Sequence, residues 1–304
     1  MSGPIAQANP ATVSFSFLGL LECMRPVQWI KNGFVLAALV FSAHLTEPAL
    51  LRQVLLAFIA FCTVASGIYL WNDSLDWRQD GAHPEKQDRP IPSGRLSPAV
   101  AMLAGSAFLL SGVLAAFVVN PATGAILTTY AVMNILYALW LKHILILDVM
   151  CIALGFVFRV MAGASAAEVT PSHWLLLCTF LLALFLGVAK RRQEVATLAG
   201  NGSTHRKVLG EYVPAWFDQA GTILSGATIV AYALYTVAPE TQARFHTDRL
   251  IYTIPFVVYG ILRYLHLVHS GSASGNPTAA LVADRPLAIC IAGWLTACVG
   301  IIYW

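Results

Sequence analysis

Nine apolar runs, each close to the length of one bilayer crossing, constrain this chain more than anything else in it. A helix rises about 1.5 Å per residue and a hydrocarbon core is about 30 Å thick, so roughly 20 predominantly apolar residues span it. The runs lie at Trp29–Leu45, Leu51–Trp71, Pro98–Val119, Pro121–Leu141, Leu145–Ala166, Pro171–Ala189, Ala215–Val237, Ile251–His269 and Pro286–Trp304. They are too long and continuous for the alternating strands of a barrel, so helices are expected. Several open on proline, whose missing N–H would have been unpaired in a first helical turn anyway. Composition agrees: 58% of the 304 residues are hydrophobic and 11% are charged, against roughly a quarter charged in a soluble domain.

An odd number of crossings puts the termini on opposite sides, and lysine and arginine mark the inner one. Arg25, Lys31, Arg78, Lys86, Arg89, Arg95, Lys142, Lys190, Arg191, Arg192, Arg206, Lys207 and Arg285 fall on the N-terminal side, against Arg52, Arg244 and Arg249 on the other. The N-terminus and the loops after the second, sixth and eighth runs are therefore expected to be cytoplasmic. No Lys or Arg precedes Arg25, which argues against a cleaved signal peptide. Residues 1–24 read as a mobile tail and 25–304 as a single transmembrane domain. Six scattered cysteines without a C-x-x-C pair indicate neither a disulfide framework nor a zinc site.

The segment carrying the chemistry is Asn72-Asp73-Ser74-Leu75-Asp76-Trp77-Arg78-Gln79-Asp80, where the second run reaches the surface. At about 100° per residue, Asp73, Asp76 and Asp80 share an arc of about 60° on one helix face. Carboxylates so placed repel one another unless a cation sits among them. Hard oxygen ligands of this kind suit Mg2+, which is commonly shared between carboxylates and the oxygens of a phosphate substrate. Just downstream, Lys86 and Arg89 stand where they could reach phosphate oxygens left uncompensated by the metal.

Asn72, Asp73, Asp76 and Asp80 resemble the N-D-x-x-D-x-x-x-D signature of the UbiA prenyltransferase superfamily, and Lys86, Arg89, Pro90 and Gly94 continue the likeness. The resemblance implies a nine-transmembrane-helix bundle with a cytoplasmic-facing active site, in which Mg2+, or Mn2+ as an alternative, bridges the Asp residues to a diphosphate leaving group. Prenyl-transferring members carry a second acidic motif after the sixth helix. Here Lys190-Arg191-Arg192-Gln193-Glu194 stands instead. So many cations are hard to employ on one metal-bound diphosphate, whereas two phosphate-bearing substrates could use them.

Arg25 to Asn32, Leu141-Lys142-His143 through Leu147-Asp148-Val149, Gly155 to Arg159, Lys190 to Glu194, Asn276-Pro277-Thr278 and Asp284 to Leu287 are together similar to the decaprenyl-phosphate phosphoribosyltransferase branch. That likeness implies transfer of 5-phosphoribose from phosphoribosyl diphosphate to a polyprenyl phosphate, for cell-wall arabinan precursors in a bacterial plasma membrane. It assigns Asp73, Asp76, Asp80 and Lys31 to catalysis. Asn72, Lys86, Arg89, Tyr137, Lys142, Arg159, Lys190, Arg191 and Arg192 are assigned to substrate binding, with Asp73, Asp76 and Asp80 as metal ligands. No nucleic-acid partner is expected, and homo-oligomerisation stays open.

Arg159 follows Asp148 by eleven residues, about 20° around the helix and about 16 Å deeper, so both are expected to line one cavity or to join structural ion pairs. Arg263 follows the same logic. Tyr137 reads either as part of a polar wall with Asn134 or as an interface aromatic. Two rival functions remain: prenyl transfer to an aromatic acceptor, which the missing second acidic motif opposes, and a transporter, which has no evident use for the Asp stripe with its basic sequel.

The charge bias generates a topology test. In a cysteine-free background, single cysteines near Ser93 and Gly202 should react with an impermeant maleimide only from the cytoplasmic side, and one near Thr241 only from outside. The reverse pattern would put the Asp stripe on the wrong face for a soluble sugar donor.

Overall fold

The structure, a computed structural model, describes residues 15–40, 47–82, 86–201, 214–270 and 283–304. The described residues are helical, and no strand is found among them. In chain order they form α1 (Phe17–Met24), a 3-10 segment (Pro26–Gly33), α2 (Phe34–Val40), α3 (Pro48–Gly81), α4 (Pro98–Val119), α5 (Pro121–Leu139), a 3-10 turn (Leu141–His143), α6 (Leu147–Ala166) and α7 (His173–Asn201). Then follow α8 (Pro214–Val237), α9 (Pro239–Phe245), a 3-10 turn (Arg249–Thr253), α10 (Ile254–His269) and α11 (Arg285–Tyr303).

Eight of these segments are long and apolar enough to cross a membrane. The first expected run, Trp29–Leu45, is not among them: it is divided between the 3-10 segment and the short α2, and residues 41–46 lie outside the described part. Two boundaries also differ from expectation. Residues 17–24, read as part of a tail, form α1; the Ser16 hydroxyl accepts its first-turn Gly19 N–H at 3.1 Å, and Cys23 is buried. The sixth run was expected to end at Ala189, but α7 continues through Lys190, Arg191 and Arg192, supported by Arg191 and Lys190 pairing with Glu194 one turn on.

The helix starts follow from local chemistry. Ser97 caps Val100 N–H at 3.3 Å ahead of Pro98, and Asn120 caps Thr123 N–H at 2.7 Å ahead of Pro121. Large apolar side chains such as Leu103, Leu110, Ile223 and Ile289 stay exposed on the outer surface, as lipid allows. One core packs α2, α3, α5 and α6 around Val35, Phe61, Leu127 and Tyr130; another packs α7, α10 and α11 around Phe185, Tyr264 and Leu287.

With apolar surface on both sides of every helix, close packing depends on small residues. A Cβ on Gly67 of α3 would meet the Gly105 carbonyl oxygen of α4 at 2.7 Å, so these backbones touch. On α6 the fit is closer still: a Cβ on Gly163 would lie 1.8 Å from the Val35 carbonyl oxygen of α2. At 34 residues, α3 is about 50 Å long, well beyond a hydrocarbon core of about 30 Å. The surplus carries the Asp stripe out of the apolar layer on a continuous helix.

Gly163→Val should therefore force α2 from α6 and cost about 3 kcal/mol or more in detergent unfolding, the upper end for overpacking. Gly226→Ala, where a Cβ meets nothing within 4 Å, is the control and should leave the midpoint unchanged. Equal stability of the two variants would refute the close α2–α6 contact.

Candidate active site

Asp73 and Asp80 share one charged cluster through Arg89, and Asp76 pairs separately with Lys142. Asp73, side chain 5% exposed, accepts from Arg25 Nη2 at 2.6 Å and lies 3.6 Å from Arg89 Nη1. The same Arg89 nitrogen donates to Asp80 at 2.8 Å, and Lys86 stands 3.4 Å from Asp80 on its other oxygen. Asp76 takes both its hydrogen bonds from Lys142 Nζ, at 2.7 and 2.9 Å. Asn72 sits half-buried beside Asp73.

Local backbone chemistry delivers these partners. Arg25 ends α1 in the left-handed region (φ 54°, ψ 60°), a conformation costing about 1–2 kcal/mol for a residue with a Cβ. The turn folds its guanidinium back over the Tyr69 ring, 5.0 Å from the centroid, and onto Asp73. Arg89 is held by a loop whose Ile91 and Leu96 are plugged against Cys23 and Leu70, and whose Gly94 turns at φ 77°. Arg95 ties the loop to Glu22 of α1 at 2.8 Å. Between these elements lies a cavity of about 270 Å³ lined by Arg25, Gln28, Asp73 and Arg89. Burial, followed by the charge of Asp73, pushes the adjoining Cys23 thiol up to about 12, so it is no nucleophile.

The second acidic group, absent as a motif, is assembled from separate helices. Asp148 on α6 is 0% exposed and accepts from Arg191 Nε at 2.9 Å; Arg191 also pairs with Glu194 and reaches the Tyr137 hydroxyl at 3.2 Å. Arg192 pairs with Asp218 of α8 and donates to the Val268 carbonyl at 3.3 Å. Lys190 lies 3.8 Å from Glu194 and is half-exposed. The cationic triplet expected to hold phosphates is thus engaged by carboxylates of the chain itself. Tyr137 joins the polar wall, while Asn134 donates to the Tyr130 carbonyl of its own helix at 2.8 Å.

Asp148 and Arg159 both face inward but do not pair with one another. Arg159 donates to Asn32 Oδ1 at 2.8 Å, to the Gly155 carbonyl at 2.7 Å and to the Tyr130 hydroxyl at 3.1 Å. Arg263 forms an ion pair with Asp284 at 2.7 Å, away from the cluster. Lys31 lies in the 3-10 segment outside the eight spans. It is only partly exposed, and Lys190, Arg159 and Arg25 are the charges near it. His83, Asn276, Pro277 and Thr278 lie outside the described residues.

Sequence reasoning assigned no role to Arg25, Asn32, Tyr130, Glu194 or Asp218. Arg25 and Asn32 at the ends of one family-like segment, and Glu194 at the end of another, carried a signal; Tyr130 and Asp218 carried none.

No group of three His, Cys, Asp or Glu side chains is gathered into a metal cage among the described residues. The donor set nevertheless fits a hard divalent cation: buried carboxylate oxygens of Asp73 and Asp80 converge on one nitrogen of Arg89, so positive charge already stands where an ion would bridge them.

Comparison with known proteins identifies the family and the fold. The model of the UbiA prenyltransferase family aligns with residues 33–284. The decaprenyl-phosphate phosphoribosyltransferase of Mycolicibacterium smegmatis is 31% identical over 91% of this chain and 90% of that protein. That of Corynebacterium glutamicum is 30% identical over 94% and 87%. A UbiA homologue from Archaeoglobus fulgidus, solved bound to GPP and Mg2+, superimposes with a TM-score of 0.71 over 94% of this chain and 100% of that one; at 20% identity this shows a common fold.

The pairing of Arg191 makes a separable prediction. Asp148→Asn should cost about 3 kcal/mol or more in detergent unfolding, because a buried guanidinium loses the fully buried one of its two carboxylate partners. Asp218→Asn, in a pair with side chains 24% and 45% exposed, should cost less than about 1 kcal/mol. Equal losses would show that Arg191 is not locked by Asp148.

Proposed function

This chain belongs to the UbiA prenyltransferase family, and from that premise we propose that it moves 5-phosphoribose from phosphoribosyl diphosphate to a polyprenyl phosphate of the decaprenyl type, releasing diphosphate. The observation carrying this reading is the meeting of Asp73, Asp76 and Asp80 with Arg25, Lys86, Arg89 and Lys142 at one end of a membrane bundle. The choice of phosphoribosyl over prenyl transfer rests on relatives of that name matching nearly the whole chain.

The stripe would hold a divalent ion, Mg2+ or alternatively Mn2+, which when bound neutralises charge on the departing diphosphate. The cations now lying on the carboxylates are placed to turn to phosphate oxygens as donors of charge-assisted hydrogen bonds. Buried walls around Asp73 and Lys142 keep water from the reacting carbon. The acceptor phosphate is ionised near neutral pH, so the chain needs no strong general base, and positioning carries much of the rate.

The protein is an integral membrane enzyme. We place it in a bacterial plasma membrane with the mouth cytoplasmic, where a soluble sugar donor is available, residues 25–304 forming one domain that serves cell-wall arabinan synthesis. A ninth crossing by the first run, Trp29–Leu45, draws support from its described part: Arg25 just before it lies on Asp73 at the mouth, and the Tyr303 hydroxyl at the end of α11 donates to the Val40 carbonyl at 3.3 Å.

Purified protein with phosphoribosyl diphosphate, polyprenyl phosphate and Mg2+ should form lipid-linked phosphoribose, and chelation should abolish it. Asp73→Ala, Asp76→Ala and Asp80→Ala should each lower turnover about a hundredfold, or about 2.7 kcal/mol in barrier. Full metal-independent turnover by all three variants would remove the ion from the mechanism. Use of a prenyl diphosphate with an aromatic acceptor in place of phosphoribosyl diphosphate would return the enzyme to prenyl transfer.

A further inference from the structure

Sorting the inward cations by what neutralises them separates two of them from the rest. Arg25, Lys86, Arg89, Lys142, Arg191 and Arg192 each lie on a carboxylate. Among the described residues, Lys31 and Arg159 form no ion pair. Arg159 is 6% exposed, and everything it touches is neutral: Asn32, the Gly155 carbonyl and Tyr130 by hydrogen bonds, and the rings of Phe61, Tyr130 and Phe156 at 5.1–5.2 Å. These hydrogen bonds engage one N–H on each of its nitrogens, which leaves two of a guanidinium's five donors for a ligand. Lys31 is joined to it through the adjacent Asn32 and feels its charge, together with those of Lys190 and Arg25. Like charges gathered in a low-dielectric interior repel strongly. An anion between them would remove that repulsion.

We propose that Lys31 and Arg159 bind the phosphate monoester of the polyprenyl acceptor, at a site separate from the Asp stripe that serves the donor's diphosphate. This inference rests on the phosphoribosyl-transfer reading. Its second support is placement. Phe61, stacked on Arg159, precedes Asp73 by twelve residues of α3, about 18 Å by helix rise. Tyr69, one turn from Asp73 and stacked under Arg25, lies between the two groups. A single displacement at the anomeric carbon requires the attacking and departing oxygens to be roughly in line on opposite sides. With the diphosphate at the mouth, the nucleophile approaches from the membrane side, where a lipid arrives and where these cations stand. An oxygen of the ionised lipid phosphate then bonds to the anomeric carbon as the bond to the diphosphate oxygen breaks. The electron pair leaves with diphosphate, and no proton need move.

The test uses purified full-length protein in detergent, as wild type, K31Q, R159Q and R159K. In steady-state transfer, K31Q and R159Q should each raise the KM for polyprenyl phosphate about tenfold or more while that for phosphoribosyl diphosphate stays within about twofold, and R159K should recover part of the loss. Without donor, polyprenyl phosphate should protect wild type from thermal unfolding, uncharged polyprenol should not, and K31Q and R159Q should lose the protection. Unchanged acceptor KM in both variants would overturn the proposal. A loss falling on the donor KM would do so too, by assigning the site to the ribose 5-phosphate. If R159Q fails to fold, K31Q and R159K decide the matter. If wild type transfers nothing from phosphoribosyl diphosphate, the function proposed above fails, while the thermal protection by lipid phosphate still decides the anion site.

Discussion

Charge carried into a medium that cannot solvate it is the constraint on which the rest of this bundle depends. Moving an ion out of water costs several kcal/mol, recovered only when an opposite charge and further hydrogen bonds meet it. Apolar burial alone does not specify how such helices dock, because lipid tails are as apolar as leucine. Close small-residue contacts such as Gly163 on Val35 and the ion pairs do so together. Asp148 with Arg191 fastens α6 to α7, Lys142 with Asp76 fastens the α5–α6 connection to α3, and Arg25 with Asp73 brings the N-terminal segment to the same end.

These pairs differ in exposure, and the difference separates scaffold from site. The Asp148–Arg191 pair is buried on both sides, so a substrate gains little by opening it. At the mouth, Arg25, Lys86 and Arg89 are each about a third exposed at their outer ends. The cations there reach solvent while Asp73 and Asp80 stay buried, so the cations can turn to a phosphate oxygen only if another positive charge takes their place on the carboxylates. Two of the four non-glycine residues at positive φ among the described residues lie here: Arg25, itself one of the cations, and the β-branched Ile146 two residues before Asp148. Strained conformations of this kind persist where the surrounding packing over-determines them.

Much of the fold was legible because a spanning helix announces itself locally. Eight of the nine expected runs correspond to helices long enough to cross, and the periodicity that put Asp73, Asp76 and Asp80 on one face holds on the continuous α3. The first run was harder. Its Lys31 and Asn32 interrupt the apolar pattern, and in the structure the segment is part 3-10 helix. The end of α7 was misplaced for a related reason: a run of three cations looks like a loop until its counter-charges on α6 and α8 are known.

Membrane-spanning helices, the single helix face of the acidic stripe and the family its motifs resemble could all be read from the residues alone. Each of these follows from hydrophobic length, helical period or residue type within a short window. Only the tertiary structure decided which cation each carboxylate holds. Lys190, Arg191 and Arg192 were indistinguishable as a string, yet Arg191 is buried between Asp148 and Glu194 whereas Lys190 stays half-exposed. Arg159, expected to line a cavity with Asp148 or to join an ion pair, is held by the neutral Asn32 and Tyr130. The physical reason is that Coulomb interactions depend on distance through space and on local dielectric. Helices far apart in the chain set both only when they pack.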